Sequence, residues 1–498
     1  MRKLITALLA AVMIVSMFVI GVSAEPVVIN NAEDWANMAA DGDYKLGADI
    51  TVDAIYANKF TGTIDGNGKT ITTSVTLFNE FEGSISNLTI AGDINVNDAG
   101  VRGAAIARTI TKTGNVTFEN IVNNAKVYNC DAAGALFAYG TYGCTITIKN
   151  CVNNADITGD NQVGGLGGYT QGKILTIENS ENNGKIESTG NYSAGIVSRF
   201  GKDDALAEDV CTIKNCKNTG EVIAKQSQVG GMIGYHVGTI VIDGCVNSGN
   251  ITNLDGSSGG ISGSGSNKDH NSLVITNCEN SGTITATLYS AGIAGKSGTV
   301  QADGKYYFEN CTNTGEIILQ GNVVKTGGAS GIVGYLYGGS TGNGVVGCKS
   351  LGNVTVKDTT TTYTADVNSV AAAGLISYVN GAATFIKDNV VTGTITNLMT
   401  PIADDATEGG LKAAQILCVQ LFYNKSTDGI GPDYASGNKV KEIEGAVYEI
   451  NAQYGPSYTF ITEEQQSATT GDAAIWFAVV GAVALLGMGV AVKTVKSR

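Results

Sequence analysis

Proline is nearly absent from this 498-residue chain, which has four, at positions 26, 401, 432 and 456. Proline cannot donate a hydrogen bond to a β-ladder, so its absence from residues 27–400 is what central strands require. Charged residues are also few, at 15% of the chain. This composition excludes a coiled coil, a collagen and a typical helical protein.

Histidine and the usual metal motifs are scarce as well. The chain has two histidines, His236 and His270, and no Cys-x-x-Cys pair, so a metal centre has little support. We predict no cofactor, and the loops containing Asp and Asn leave calcium binding open. Neither histidine stands in a catalytic context, and we expect both to lie at the surface.

Positive charge is outweighed by negative charge, and the formal net charge is -14. Without the cations of the two ends, 26 of 31 Lys and Arg remain against 45 Asp and Glu, which gives -19. A surface this acidic disfavours nucleic acid and anionic lipid as partners.

Both ends carry apolar segments. Residues 1–24 have a basic start, an apolar run and small residues ending at Ala24, which predicts a cleaved secretory signal; an uncleaved anchor is the alternative. Residues 473–492 are uncharged and long enough to cross a bilayer, and 493–498 form a basic tail, which predicts a transmembrane helix with its tail in the cytoplasm.

The segment before that apolar span, residues 462–472, contains the pair Thr470-Gly471. The end of the chain therefore resembles the sorting signals of Gram-positive surface proteins. That resemblance implies sortase as a partner and attachment to the cell wall. Ser467-Ala468 stands where that family carries Leu-Pro, so wall attachment and a plain membrane anchor both remain open.

A repeat of about 33 residues fills the middle of the chain, and this period is typical of a solenoid or a propeller. Its anchor position is followed six residues later by an aliphatic residue in every copy. In eight of ten copies a glycine lies four residues after the anchor. The anchor column consists of Leu88, Ile121, Cys151, Ser180, Cys216, Cys245, Cys278, Cys311, Cys348 and Asn389.

These short β-branched runs between turns, with a third run such as Gly230-Gly231-Met232, predict three strands per turn. We predict an all-β, right-handed parallel β-helix of about ten rungs over residues 60–396. An asparagine column from Asn123 to Asn313 would pair along it. Residues 25–59, with a short helix, and 397–461 are the predicted caps. A β-propeller is the alternative.

The segments FTGTIDGNGKTI (60–71) and LFNEFEGSISNLTIAGDI (77–94) carry a family resemblance. They resemble the opening turns of secreted bacterial β-helix surface proteins, including those with repeats of the GLUG type. The resemblance implies a fold more than an activity.

Six of the ten cysteines lie in the anchor column. Exported proteins usually form disulfides. Stacked in-register Cβ atoms, however, lie about 4.8 Å apart, beyond the roughly 3.5–4.5 Å that a disulfide prefers. We therefore expect a ladder of buried thiols, with disulfides as the alternative.

Two groups of residues are candidates for function. Arg199, Asp203 and Asp204 are the weak catalytic candidates, since β-helical polysaccharide lyases use a basic residue beside acidic ones. A column at a fixed offset after the third strand, containing Tyr169, Tyr235, Tyr335 and Tyr378, would form a stripe of rings along one face.

We expect a cell-surface binding or adhesion protein without catalytic activity, whose ligand is a glycan or an extracellular protein. A surface polysaccharide lyase or glycoside hydrolase and a purely structural envelope protein are the alternatives. Whether the chain is an enzyme stays open.

Overall fold

The structure of the protein is a computed structural model. The structure describes residues 25–111, 115–266, 271–298, 304–320, 327–337, 342–357, 370–380, 384–398, 416–419, 422–424, 435–440 and 458–460. The predicted signal (1–24), Thr470-Gly471 and the span 473–492 lie outside these ranges. Over the described ranges, the structure contains no helix that is both long and apolar enough to cross a membrane.

The chain forms a parallel β-solenoid in which the strands of each turn pair with those of the next turn. The strands belong to three sheets, and every recorded pairing between strands of successive turns is parallel, as in Cys211↔Ile240 and Asn218↔Asn247. The predicted stacking of repeats is therefore confirmed. Parallel pairing does not fit a β-propeller, whose blades are antiparallel.

The large sheet has 34 strands. They are Val27–Ile29, Asp43–Leu46, Ile50–Val52, Thr63–Asp65, Thr70–Thr73, Ser84–Asp98, Asn115–Cys130, Thr145–Lys149, Val152–Asn153, Ile157–Gly159, Ile174–Glu178, Glu181–Asn182, Ile186–Ser188, Val210–Lys214, Lys217–Asn218, Val222–Ala224, Thr239–Asp243, Val246–Asn247, Ile251–Asn253, Ser272–Thr276, Glu279–Asn280, Ile284–Ala286, Tyr306–Glu309, Thr312–Asn313, Ile317–Leu319, Asn343–Val346, Lys349–Ser350, Val354–Val356, Thr384–Lys387, Val390–Val391, Ile395–Asn397, Ala435–Ser436, Asn438–Val440 and Tyr458–Phe460.

The second sheet, here called the tyrosine sheet, has 12 strands. They are Tyr56–Phe60, Phe78–Phe81, Ala107–Ile110, Phe137–Gly140, Gly167–Thr170, Val197–Phe200, Ile233–His236, Ser262–Gly265, Ala294–Lys296, Val333–Tyr337, Ile376–Asn380 and Phe422–Asn424.

The third sheet, here called the small-residue sheet, has 10 strands among the described residues. They are Gly103–Ala104, Ala133–Gly134, Val163–Gly164, Ser193–Ala194, Ser227–Gly230, Gly256–Gly259, Tyr289–Ala291, Gly327–Ser330, Val370–Ala373 and Ile416–Val419.

A turn contains five strand segments rather than the three that we predicted. Between residues 145 and 170 the large sheet receives three segments, and the small-residue and tyrosine sheets receive one each. One of the two extra breaks divides the predicted third strand, as between Val163–Gly164 and Gly167–Thr170. The other comes from the residue before the anchor, which has a left-handed backbone, as at Asn150 (φ 52) and Asn215 (φ 51). Asparagine and glycine tolerate this conformation, which explains the recurring Asn-Cys pair and Gly244 (φ 64) in the same column.

The anchor side chains accept hydrogen bonds along the solenoid axis. The backbone N–H of Cys216 donates to Cys245 Sγ at 3.4 Å, and that of Cys151 donates to Ser180 Oγ at 3.0 Å. Cys348 N–H donates to Asn389 Oδ1 at 2.8 Å. In these turns the anchor side chain satisfies the backbone donor of the anchor one turn earlier, so cysteine, serine and asparagine can replace one another there.

The predicted asparagine column is present in the core. Each Nδ2 donates both to the Oδ1 of the next asparagine and to the carbonyl two residues ahead, as Asn218 does to Asn247 at 2.8 Å and to Gly220 O at 2.9 Å. Close stacking explains why most turns have glycine four residues after the anchor. A Cβ on Gly249 would collide with the Gly220 carbonyl oxygen of the preceding turn.

A short helix covers the first turn. The helix Ala32–Ala36 begins after Asn31, whose Oδ1 accepts from the N–H groups of Glu33 and Asp34, both at 2.9 Å. The Trp35 ring packs against the Phe78 ring, with the two ring centroids 5.4 Å apart. Parallel pairing already includes Val27–Ile29, so the predicted cap of residues 25–59 belongs to the stack. Within the predicted cap 397–461, the described strands also continue the parallel pairing.

Candidate functional site

The predicted tyrosine column lies in register on the tyrosine sheet. Pairing aligns Tyr169 with Arg199 and then with Tyr235, and further along it aligns Tyr335 with Tyr378. Ser264 and Lys296 fill the two turns between these groups. The column also contains Tyr139, which pairs with Tyr169 and which the sequence analysis missed because its turn lacks the full glycine block.

The column lies along one face of the solenoid, but it is not continuously exposed. Tyr378 is fully buried, and Tyr335 and Tyr169 keep only 6% and 7% of their surface exposed. Tyr235 alone among the four predicted ligand-binding residues is half-buried. The column therefore divides into two parts with different environments.

The distal part is a packed cluster of tyrosines. Tyr335 stacks on Tyr378 with ring centroids 5.9 Å apart, and Tyr289 from the small-residue sheet meets these two rings at 5.4 and 6.1 Å. Burial raises the pKa of the Tyr289 hydroxyl above its ordinary value. These contacts give Tyr335 and Tyr378 a packing role rather than an accessible binding surface.

The proximal part is built around one guanidinium group. The Arg199 Cζ lies 4.5 Å from the Tyr169 ring centroid, 5.3 Å from that of Tyr235 and 5.5 Å from that of Tyr192. These distances fit cation–π interactions. We call Tyr139, Tyr169, Tyr192, Arg199 and Tyr235 the arginine–tyrosine patch.

Tyr192 enters the patch from the residue directly before the strand Ser193–Ala194 of the small-residue sheet. It has a left-handed backbone (φ 55), which is unfavourable for a bulky side chain, and its ring stacks on Tyr235 at 4.8 Å. Strained residues of this kind persist where the surrounding structure holds them, and they concentrate at functional sites. No repeat position pointed to Tyr192, because it lies before the glycine block and outside the fixed-offset column.

Two further cation–ring pairs flank the patch. The Arg102 guanidinium lies 3.7 Å from the centroid of Tyr139, and Lys202 Nζ lies 3.8 Å from that of Tyr142. Tyr139 and Tyr169 are themselves in contact, with ring centroids 5.5 Å apart. The half-buried surface around Arg199 therefore combines aromatic faces with cationic groups.

The three catalytic candidates, Arg199, Asp203 and Asp204, do not form one group in the structure but belong to two separate ion pairs. Arg199 forms an ion pair with Asp203 at 3.2 Å, and Lys202 forms a separate one with Asp204 at 3.0 Å. The side chains of Asp203 and Asp204 are 69% and 81% exposed. The hydrogen bond from Lys202 lowers the pKa of the Asp204 carboxyl.

Metal-binding groupings are absent from the described part of the chain, where no three His, Cys, Asp or Glu side chains are placed to hold an ion. Calcium binding by loops outside those ranges stays a prediction. Nine cysteines, including the six anchors, are free and buried in the structure, which agrees with the thiol ladder. Burial raises the pKa of Cys151 to about 12.

His236 lies in the interior rather than at the surface, which corrects our expectation. Its Nδ1 is 3.0 Å from Asn271 Oδ1, and Asn271 Nδ2 in turn donates to the Tyr306 hydroxyl at 3.1 Å. Full burial lowers the pKa of the imidazole to about 4. The ring is inward because His236 follows Tyr235 in a strand whose side chains alternate. His270 lies outside the described residues.

Comparisons with known proteins add little. No family model matches the chain, and no curated protein matches it. Among solved structures, the chain is similar to a crystal structure described as a "putative immunoglobulin A1 protease from Bacteroides ovatus". The sequences are 20% identical over 47% of this chain and 78% of that chain, with a TM-score of 0.40.

Proposed function

We propose that this chain is a cell-surface binding protein without catalytic activity, and that its ligand contacts the arginine–tyrosine patch. The observation that carries the proposal is the half-buried Arg199 guanidinium within reach of three tyrosine rings. Aromatic rings and arginine are the side chains that contribute most at binding sites, since they combine large contact areas with polar groups. The parallel sheet beneath the patch holds these side chains in fixed positions.

A binding role agrees better with the carboxylates than a catalytic one does. A general acid or base must reach the reacting atoms and needs a pKa suited to proton transfer. Asp203 and Asp204 are largely solvated partners of neighbouring cations. The lyase or hydrolase alternative therefore rests on the single contact between Arg199 and Asp203.

We further propose that the solenoid is a right-handed parallel β-helix of about ten regular rungs. Parallel strands joined by a crossover connection are right-handed in about 98% of cases. Ten rungs would give a rod roughly 48 Å long. The predicted signal 1–24 and span 473–492 would export the rod and fix it at the cell surface. Cleavage at Thr470-Gly471 by a sortase remains part of this proposal.

Location is tested separately from binding. We expect an antibody against the solenoid to label intact cells, and we expect the tail 493–498 to be accessible only after permeabilisation. Labelling of the solenoid only after permeabilisation would refute surface display.

The binding site is tested with the purified full-length chain on an array of polysaccharides and extracellular matrix proteins, with product release measured on the same polysaccharides. We expect Tyr235→Ala to abolish binding. Tyr307→Ala is the matched control, because Lys305 Nζ lies 4.5 Å from the Tyr307 ring on the large sheet and reproduces a cation–ring pair outside the patch.

Each outcome discriminates between the candidate functions. Binding that is lost in the Tyr235 variant and kept in the Tyr307 variant supports the proposal. Release of cleaved product would replace it with the enzyme alternative. Binding by neither the wild type nor any variant would favour the structural envelope protein.

A further inference from the structure

Charge is distributed unevenly among the three sheets. The strands of the large sheet carry eleven Asp and Glu against eight Lys and no Arg. In the described strands of the tyrosine sheet the balance is reversed, with Lys59, Arg108, Arg199 and Lys296 against Glu80 alone. The described strands of the small-residue sheet beside it contain no charged residue. The strands on this face of a strongly acidic protein therefore carry a net positive charge.

Arginine is concentrated on this face. Residues 25–472 contain three arginines, and all of them lie in the tyrosine sheet or directly before the small-residue sheet: Arg102, Arg108 and Arg199. Arginine presents a planar fork of N–H donors that matches carboxylate and related oxyanions, whereas lysine is a compact point charge. The strands of the large sheet carry lysine and no arginine, although arginine would serve equally well for solubility.

The guanidinium groups keep unused donor capacity. The Nε groups of Arg108 and Arg199 are buried from solvent and make no hydrogen bond. Among the described residues, Arg199 forms an ion pair with Asp203, whose carboxylate is 69% exposed. A ligand oxyanion could replace this solvated carboxylate at little cost, because exposed ion pairs contribute little to stability.

We propose that the arginine–tyrosine patch binds an anionic polysaccharide, whose carboxylate or sulfate groups pair with Arg199 while its sugar rings lie against Tyr192 and Tyr235. This inference rests on the binding function proposed above and names the chemistry of its ligand. Lys296 occupies the same column three turns from Arg199, roughly 14 Å away at the strand spacing. The two cations are thus placed for charges on separate sugars of one short oligosaccharide.

The experiment compares charged polymers with neutral ones of the same backbone. The full-length chain is titrated with polygalacturonate and with its methyl ester, and with dextran sulfate and with dextran. We expect at least one anionic polymer to bind about tenfold or more tightly than its neutral counterpart, since a hydrogen bond to a charged group contributes about 1.5–3 kcal/mol. We also expect this affinity to fall as salt is raised.

Variants assign the charge effect to the patch. Arg199→Gln should weaken binding of the anionic polymer about tenfold. Asp203→Asn should tighten it, because the competing carboxylate is removed from an exposed position where folding is unaffected. Lys305→Gln, directly before the strand Tyr306–Glu309 of the large sheet, removes a cation beside a tyrosine and should leave binding unchanged.

The outcomes separate this inference from the proposed function. Equal binding of charged and neutral polymers, abolished by Tyr235→Ala, would overturn the anionic ligand and keep the binding function. An equal loss in the Arg199 and Lys305 variants would also overturn it, since that result indicates a nonspecific charge effect. Binding of a single-stranded DNA oligomer as tightly as the anionic polymer would replace glycan with nucleic acid. Failure of all four polymers to bind would overturn the inference together with a glycan-binding function.

Discussion

Replacing Asn218 by alanine should destabilise the solenoid by several kilocalories per mole. Asn218 Nδ2 donates to Gly220 O at 2.9 Å and to Asn247 Oδ1 at 2.8 Å, and its Oδ1 accepts from Asn182 Nδ2 at 2.8 Å. Alanine would remove these hydrogen bonds and leave the buried Gly220 carbonyl, Asn247 Oδ1 and Asn182 Nδ2 without Asn218 as a partner. Each buried polar group that loses its partner costs about 1–3 kcal/mol, and partial relaxation reduces the sum, so we expect about 3–5 kcal/mol.

The matched control is Asn183→Ala. Asn183 directly follows Asn182 of the buried column, and its Nδ2 donates to Asn154 Oδ1 at 3.0 Å, but Asn183 and Asn154 are both exposed. Water replaces that bond, so we expect a change within about 0.5 kcal/mol. Urea unfolding followed by far-UV circular dichroism measures both variants, and hydrogen exchange over residues 182–247 locates the weakened turns. Equal destabilisation by the two substitutions would refute the argument that burial gives the asparagine column its strength.

Three other predictions follow from the interior and the turns. The pKa of His236 falls from 6.5 to about 4 on folding. The contribution of His236 to the free energy of unfolding should therefore be complete above pH 6.5, and the free energy of unfolding should decline by up to about 3 kcal/mol as pH falls through 4. In urea titrations at several pH values, His236→Gln should remove this dependence. The buried thiols should not react with Ellman's reagent until the protein unfolds, and fast labelling of the folded protein would contradict their burial. Asn215→Gly should leave the thermal midpoint nearly unchanged while Asn215→Val lowers it, because valine is strained at φ 51; equal midpoints would contradict the left-handed backbone.

Stacking was predictable from the sequence because each turn repeats the same chemistry at the same position. The aliphatic residues six positions after the anchor, such as Val222 and Ile251, pair with one another as the repeat predicts. The asparagine column was predictable for the same reason. The Asn-Cys pair carried one more signal, the left-handed residue before the anchor, which divides each turn into more segments than an apolar pattern alone suggests.

The candidate site was predicted only in part. The offset of the column placed Tyr169, Arg199 and Tyr235 together, since register within one sheet follows from repeat spacing. Burial of Tyr335 depends on Tyr289, which comes from another sheet and lies at no fixed offset from the column. Contacts between sheets at a bend are set by three-dimensional proximity, and a one-dimensional repeat does not encode them.

The acceptor role of the anchor column has a consequence for how such a chain changes length. The Cys216 N–H donates to Cys245 Sγ, and the Cys245 N–H donates to Cys278 Sγ at 3.3 Å, so successive turns in this stretch offer the same donor and the same acceptor. Duplication or loss of one of these turns during gene recombination therefore recreates the bonds that it interrupts. The reach of the protein can vary in steps of about 4.8 Å without any compensating substitution.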